Sequence, residues 1–302
     1  MKEIVTHNGR FHADEVFAVA ALSILWNGQI KIKRTRDAEI ANKADVVVDV
    51  GGLYEPKRGR FDHHQEGGAG VRENGVPYAA FGLIWKHFGK EICGGNSALA
   101  DKVERDMVLY IDADDNGVTV LKQKAVDIKI FDAPKLISFL NPTGQEVEKN
   151  DDSDARFKEA VFFARKVLER KIAHSLYELE SSQIVDSAYK IAEDKKIIVL
   201  EKRLPWKETA MKYGEILFAV FPDFEGENWA VSSMPESLDS FKSRIYFPES
   251  WAGKRDKELA DISGVADAIF CHNGRFFAVA RSKEGATELA KQALRVESSS
   301  SL

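Results

Sequence analysis

The chain has 302 residues, 44% of them hydrophobic and 30% charged, a soluble globular composition that excludes bulk disorder and leaves room for two domains. Its net charge of −5, shared almost evenly by the two halves, excludes a basic nucleic-acid arm. The longest apolar stretch, residues 16–26, is too short for a bilayer, and two distant cysteines, Cys93 and Cys271, support neither a disulfide framework nor a structural zinc site. The expected setting is reducing and cytoplasmic, with no membrane.

Residues 2–6 read as a strand, Gly9 allows a tight turn, and 13–26 have the apolar content of a buried helix with Asp14 and Glu15 in its first turn. A second strand is expected over 31–36, a short helix over 37–43 and a third strand over 44–50, whose valine run suits a sheet buried on both faces. A further strand end falls at 60–64, followed by a glycine-rich loop at 67–75. Pro77 is suited to open a helix carrying Phe81, Ile84, Trp85 and Phe88. Ser97 can cap another that runs through Ile111 into Asp112, Asp114, Asp115 and the stop at Gly117. Residues 122–150 read as polar and irregular, and a domain boundary is placed at their end. From 154 to 192 the pattern is helical, with room for one break. Short strands follow at 196–200, 216–221, 229–233, 243–247, 268–272 and 276–281, then a helix over 285–296 and a frayed tail from 298.

The chemistry concentrates near the start. Four of the seven histidines lie at or before position 64, in Thr6-His-Asn-Gly-Arg-Phe-His-Ala-Asp-Glu15 and in Asp62-His63-His64, and Asp49 closes the valine run. In an open α/β sheet ligands bind outside the carboxyl ends of strands, so His7 and Asp49 project into one crevice. Several carboxylates brought together raise one another's pKa and oppose folding unless cations neutralise them. Mixed imidazole and carboxylate ligands suit manganese, iron, cobalt or zinc better than calcium. So many ligands exceed the needs of one tetrahedral ion, which points to two ions bridged by a carboxylate and to phosphate-ester hydrolysis. From the block after Ile111, Asp112, Asp114 and Asp115 compete for one ligand role. Arg10 and Arg60 can steer phosphate or stay solvated. Phe276 and Phe277 can stack bases, although strand alternation makes at least one of them core.

The blocks at His7–Asp14, Asp49-Val-Gly-Gly52, Asp62-His63-His64 and Asp112–Gly117 resemble the four motifs of the DHH phosphoesterase superfamily. Together with Leu140-Asn-Pro142, Leu204-Pro-Trp-Lys-Glu208 and Phe247-Pro-Glu-Ser-Trp251, they are similar over nearly the whole chain to the melanocyte proliferating gene 1 family of metal-dependent exonucleases. The resemblance implies an α/β fold. A DHH domain at 1–150, with a parallel sheet and helices on both faces, would be followed at 151–302 by a long linking helix and a smaller α+β substrate-binding domain. It implies a two-metal phosphodiesterase, a 3′-to-5′ exonuclease of RNA or short oligonucleotides, using two divalent ions, with manganese ahead of magnesium or cobalt. By position, His7, His12 and Asp49 hold one ion, and Asp14, Asp49, His63 and Asp112 hold the other. His64 faces the scissile phosphate and Asp62 orients its neighbours. Lys242, Arg244, Arg275 and Arg281 are expected to contact phosphates. Position 12, commonly aspartate in the superfamily, is histidine here. A small-molecule phosphatase or pyrophosphatase, or a catalytically weak nucleic-acid-binding regulator with a structural metal, are the alternatives, and a homodimer is left open.

Overall fold

The structure, a computed structural model, describes residues 1–118, 130–148 and 153–300. They form two compact units, Met1–Leu176 and Tyr177–Leu302. The expected domain boundary at 150 and residues 122–129 lie outside the described residues.

The first unit is built on a five-stranded sheet. Strands β1 (Lys2–Thr6), β2 (Ile30–Arg34), β3 (Val46–Val48), β4 (Tyr54–Glu55) and β5 (Arg60–Phe61) lie in the order β2-β1-β3-β5-β4, parallel except for β4 against β5. Val5, Val47 and Val50 pack on Ala41 and Ala44, which belong to or follow helix α2 (Ala38–Lys43). The alternate residues Ile4, Val46 and Val48 are buried as well, so the period-two pattern reads as continuously apolar because both faces are covered. Helix α1 (Ala13–Leu25) is buried along almost its whole length. Its small residues Ala18, Ala20 and Ala21 are fully buried, and α1 packs on helix α3 (Ala80–Ile92) with Phe17 against Phe81, ring centroids 5.6 Å apart.

Helix α3 begins three residues after Pro77, which therefore does not occupy its first turn. Its N-terminal amides are instead satisfied by carboxylates from other elements: Ala80 N–H donates to Asp14 Oδ2 (3.3 Å) and Gly82 N–H to Asp112 Oδ1 (2.9 Å). Glycine is required at 82, because a Cβ there would overlap the Asp112 carboxylate. Helix α4 (Ser97–Val103), capped by Asn96 rather than by Ser97, continues through a π-helical turn at Glu104–Val108 into α5 (Leu109–Asp115). Two short helices, α6 (Ala133–Ser138) and α7 (Gly144–Glu148), occupy part of the stretch read as irregular.

Helix α8 (Ser153–Ile191) is unbroken. Phe157, Ala160, Val161, Ala164 and Leu168 recur at helical spacing and are buried, which ties its first half to the first unit. The second unit carries β6 (Ile197–Val199), β7 (Phe218–Pro222), β8 (Trp229–Ser233), β9 (Ala268–Cys271) and β10 (Phe277–Ala280) in the order β6-β7-β8-β10-β9, with only β6 and β7 parallel among these pairs. Three further helices follow Leu200: α9 (Lys207–Ala210), α10 (Asp256–Ser263) and α11 (Lys283–Ser300). Ala286, Leu289, Ala290 and Ala293 of α11 join Phe218, Val220 and Val231 in one core. Residues 243–247 form no strand. A single bridge joins Ser243 to Pro235, and Arg244 turns its guanidinium onto the carbonyls of Tyr213, Gly214 and Ile216. The expected tail from 298 continues α11 to Ser300, and residues 301–302 lie outside the described residues.

Candidate metal centre

Three neighbouring parallel strands end at one place. His7 follows β1, Asp49 follows β3, and Asp62, His63 and His64 follow β5. Asp49 sits in the left-handed region at φ +56°, an unfavourable conformation for a residue with a Cβ. Its N–H still completes the ladder to Phe61 O (3.0 Å), and Gly51 and Gly52, both at positive φ, turn the chain away behind it. Asp62 ties these loops together. Its Oδ2 accepts from Gly52 N–H (2.6 Å), and its Oδ1 accepts from the N–H groups of His63 (2.7 Å) and His64 (3.1 Å) and from His64 Nδ1 (2.8 Å).

The segment with His7 and His12 is held from outside itself. Asn141, from the Leu-Asn-Pro motif, accepts from Phe11 N–H (2.9 Å) and donates to Phe11 O (2.8 Å), while Arg34 donates to Gly9 O (2.5 Å). Phe11 is fully buried and meets Phe157 edge-on. His7 Nδ1 lies 3.0 Å from Asn8 O, so that ring nitrogen donates to the backbone and Nε2 faces the acids, 3.0 Å from Glu15 Oε1 and 3.4 Å from Asp49 Oδ2. This is the orientation a metal-ligating histidine takes. His63 Nε2 lies 3.3 Å from Asp49 Oδ1, 3.3 Å from Asp115 Oδ2 and 4.0 Å from Asp14 Oδ2.

Three groups of side chains stand close enough to share an ion: His7, His12, Glu15 and Asp49; Asp49, His63 and His64; His12, Asp14 and Asp115. Asp49 belongs to two of them. Asp14 Oδ1, Asp49 Oδ1 and His63 Nε2 are buried without a hydrogen-bond partner. Buried polar atoms are rarely left so, and these three are two carboxylate oxygens and an imidazole nitrogen of neighbouring ligand groups, with Asp49 Oδ1 and His63 Nε2 3.3 Å apart. A divalent cation is the ligand this donor set fits.

The charges of the metal-free cluster are correspondingly displaced. Burial presses the His7 pKa down, but Asp49 and Glu15 outweigh it and raise it to about 10. Burial likewise pushes Asp49 up, but its contacts with His63 and His7 prevail and bring it to about 2. Asp14 is held well above the usual carboxylate range by burial and by the charges of Asp49, Glu15 and Asp115, and Asp115 is raised by burial and Asp49. Protons thus do some of the neutralising that cations would do.

Two of the site's acids differ from the expected set. Asp112 does not join the cluster. It is fully buried, pairs with Arg72 Nη2 at 2.7 Å and holds the start of α3, and burial raises its pKa to about 7 against the pull of Arg72 and the backbone amides. Asp115, one turn later at the end of α5, takes the place beside His63. Glu15, read only as a helix-start acid, caps His12 N–H with both oxygens (2.9 and 3.0 Å) and also meets His7. Its signal was adjacency to Asp14 in the first turn, where one acid faces the cluster and the next closes the cap.

The cluster opens into a cleft of about 820 Å³ lined by His12, Asp14, Asp49, His63, His64 and Asp115, with Arg10, Asp114, Asp132 and Lys135 also on its wall. Arg60 is not there: it is buried and donates to the carbonyls of Asn42, Ala44 and Arg58.

The four expected phosphate contacts lie in the second unit. Arg244 is committed to backbone carbonyls, as above. Lys242 is exposed and makes no ion pair among the described residues. Arg275, at φ +57°, reaches Phe247 O (3.4 Å) and stands 5.4 Å from the Tyr246 ring centroid. Arg281 borders a surface hollow with Asp256, Lys257 and Asp261. At the start of α11, Asp267 accepts from both Ser282 N–H (2.8 Å) and Ser282 Oγ (2.6 Å), so this helix start is closed by an internal carboxylate. Phe276 is exposed, while Phe277 packs against the core.

Residues 3–294 match the family described as "Uncharacterised protein family (UPF0160)", the MYG1 exonuclease family. The chain is 33% identical to a MYG1 exonuclease of Bos taurus, covering 96% of this chain and 84% of the relative. It is 32% identical to a MYG1 exonuclease of Homo sapiens, over 96% and 85%. A MYG1 protein of Saccharomyces cerevisiae is 34% identical over 97% of this chain and 96% of its own length.

Proposed function

From the membership of this chain in the MYG1 exonuclease family, and from the three unpartnered ligand atoms around Asp49, we propose that it is a two-metal phosphodiesterase, a 3′-to-5′ exonuclease of RNA or short oligonucleotides. The relatives named as exonucleases support a nuclease-type hydrolase, and the acid and histidine groups support metal dependence. The arrangement of ligands at the ends of β1, β3 and β5 is the reason for placing the first unit with the DHH phosphoesterases. The unbridged, buried cysteines Cys93 and Cys271 support a cytoplasmic setting.

In this reading His7, His12 and Asp49 hold one cation and Asp14, Asp49, His63 and Asp115 the other, with Asp49 between them. Bound manganese, magnesium or cobalt ions would supply Lewis-acid polarisation of a phosphoryl oxygen and activation of water. The protein's own residues do the rest. Asp49, fixed by its strand ladder and its left-handed backbone, presents both carboxylate oxygens to opposite sides, Oδ2 toward His7 and Oδ1 toward His63. Asp62 binds His64 Nδ1, which leaves Nε2 of this largely exposed ring to hydrogen-bond the scissile phosphate. Asn8 O and Glu15 set the rotation of the His7 ring.

The test is hydrolysis of an end-labelled oligoribonucleotide in manganese, against pyrophosphate and a nucleotide monoester, with Asp49→Asn as control. Stepwise shortening from the 3′ end, lost in Asp49→Asn, is the expected result. Activity on pyrophosphate alone would replace this reading with the small-molecule one, and no manganese-stimulated hydrolysis of any of the three would end both.

A further inference from the structure

We propose that the outer wall of the cleft is a strand-binding subsite, in which Arg10 and Lys135 hold a phosphate flanking the scissile one and Phe139 stacks against a base. The proposal rests on the phosphodiesterase reading and deepens it, because it separates an oligonucleotide from a small phosphate ester.

Five carboxylates, from Asp14, Asp49, Asp114, Asp115 and Asp132, line the cleft with two basic side chains, Arg10 and Lys135. Two divalent cations would reverse the sign of that balance and admit an anion. Both basic side chains are exposed, and neither makes an ion pair among the described residues despite the nearby acids. Four of those acids are engaged elsewhere: Asp14, Asp49 and Asp115 face the histidines, and Asp132 accepts from Tyr110 Oη (2.5 Å) and caps α6 at Lys135 N–H (3.0 Å). Among the described residues Arg10 and Lys135 are therefore unclaimed cations beside the proposed phosphate site.

The second observation is aromatic. Phe139, one turn after Lys135, is 64% exposed, and its ring lies 5.9 Å from that of the equally exposed Phe131. Lys135 Nζ stands 5.5 Å from the centroid of Phe139. An exposed aromatic pair carrying a cation, adjoining a cleft for phosphodiesters, is the combination that takes unpaired nucleotides, the cation on the backbone and the ring on a base.

The full-length protein in manganese is titrated into a fluorescein-labelled oligoribonucleotide at several salt concentrations. Cleavage of the same RNA and of bis(p-nitrophenyl) phosphate, which has no flanking phosphate or base, is followed in parallel. Arg10→Ala and Lys135→Ala should each weaken RNA binding and lower the slope of log Kd against log salt by about 0.7. Arg10→Lys should keep the slope, and Lys90→Ala, an exposed cation outside the cleft, should match wild type. Phe139→Leu, which keeps bulk but removes the π-face, should weaken RNA binding about tenfold without changing the salt slope. KM for the RNA should rise severalfold more than KM for the small diester in all three cleft variants. Unchanged salt slopes in Arg10→Ala and Lys135→Ala, or equal losses on both substrates, overturn the subsite while leaving the nuclease reading intact. RNA binding with the expected slopes but without hydrolysis of any diester supports the subsite and overturns the nuclease reading. Failure of the wild type to bind RNA overturns the subsite.

Discussion

Replacing Asp112 and Asp115 in turn separates two roles that neighbouring acids on one helix play. Asp112 is fully buried, and its two oxygens serve Arg72 Nη2 and Gly82 N–H. Asp112→Ala leaves the guanidinium with Glu104, at 2.7 Å, as its one carboxylate partner among the described residues and uncaps α3. Breaking a buried ion pair from one side costs about 3–5 kcal/mol, so this variant should unfold at clearly lower urea whether or not metal is present. Asp115 has no comparable structural commitment. Burial and the charge of Asp49 disfavour its ionised form in the metal-free fold, so Asp115→Asn removes a penalty that grows as pH rises above the unfolded carboxylate's pKa. Its metal-free stability should stay within about 0.5 kcal/mol of wild type or rise slightly. Changes to groups that only support a ligand cost ~10–100-fold in metal affinity, and loss of the ligand itself should cost about 100-fold or more. Urea unfolding in EDTA and calorimetric titration with manganese measure the two quantities independently. If Asp112→Asn, which keeps the shape of the side chain, lost manganese affinity more than Asp115→Asn did while stability stayed at wild type, the assignment of the fourth block would be reversed.

Asn141→Ala deletes both bonds to the Phe11 backbone and leaves a buried N–H and C=O unmatched, worth about 2–6 kcal/mol at ~1–3 kcal/mol per group. Faster exchange of the Phe11 amide and about 10-fold weaker manganese binding are expected, and wild-type exchange at that amide would refute the clamp. Asn141→Asp keeps the acceptor for Phe11 N–H but places an oxygen against Phe11 O, and should fall between. Manganese binding should strengthen with pH, because the cation displaces the proton held on His7: about one proton per protein molecule is released from this group at pH well below 10, measurable from the buffer dependence of the binding heat. In the metal-free protein the sign is opposite. The raised His7 pKa stabilises fully below the unfolded value near 6.5 and is lost as pH rises through about 10, so a metal-free protein whose stability climbed across that window in step with His7 deprotonation would contradict the geometry.

The sheet was legible because its signals are local. The valine run ending in Asp49 and the strand before His7 announce parallel strands, and the gathering of His7, Asp49 and His63 follows from their places at strand ends. The choice between Asp112 and Asp115 was hidden because both face inward on α5. What separates them is Arg72, forty residues away in sequence from Asp112, and no periodicity announces that pairing. The start of α3 was misplaced for a related reason: proline is a good local signal, but the amides of this helix are capped by Asp14 and Asp112 from other elements. Residues 243–247 have the alternation of a strand, yet Arg244 is drawn onto three carbonyls of the segment before β7, a tertiary demand that overrides pattern.

The histidine at position 12 bears on how this cluster can fold at all. Asp14, Glu15 and Asp49 are buried at most a few per cent exposed, and Asp115 stands at their edge with its side chain 17% exposed. A fifth carboxylate at position 12 would add to the repulsion that already raises Asp14 and Asp115. An imidazole there keeps a nitrogen able to ligate the proposed cation and omits the charge, so the metal-free protein has one fewer ion to neutralise by protonation. The cost would fall on the proposed metal-bound state, where one anionic ligand fewer would face the cations. His12→Asp should accordingly lower metal-free stability at neutral pH and tighten manganese binding, with both changes shrinking as pH falls and the carboxylates take up protons. Opposite changes in the two quantities are the signature of charge, whereas a parallel loss of stability and affinity would show that the histidine serves the fold through its shape instead.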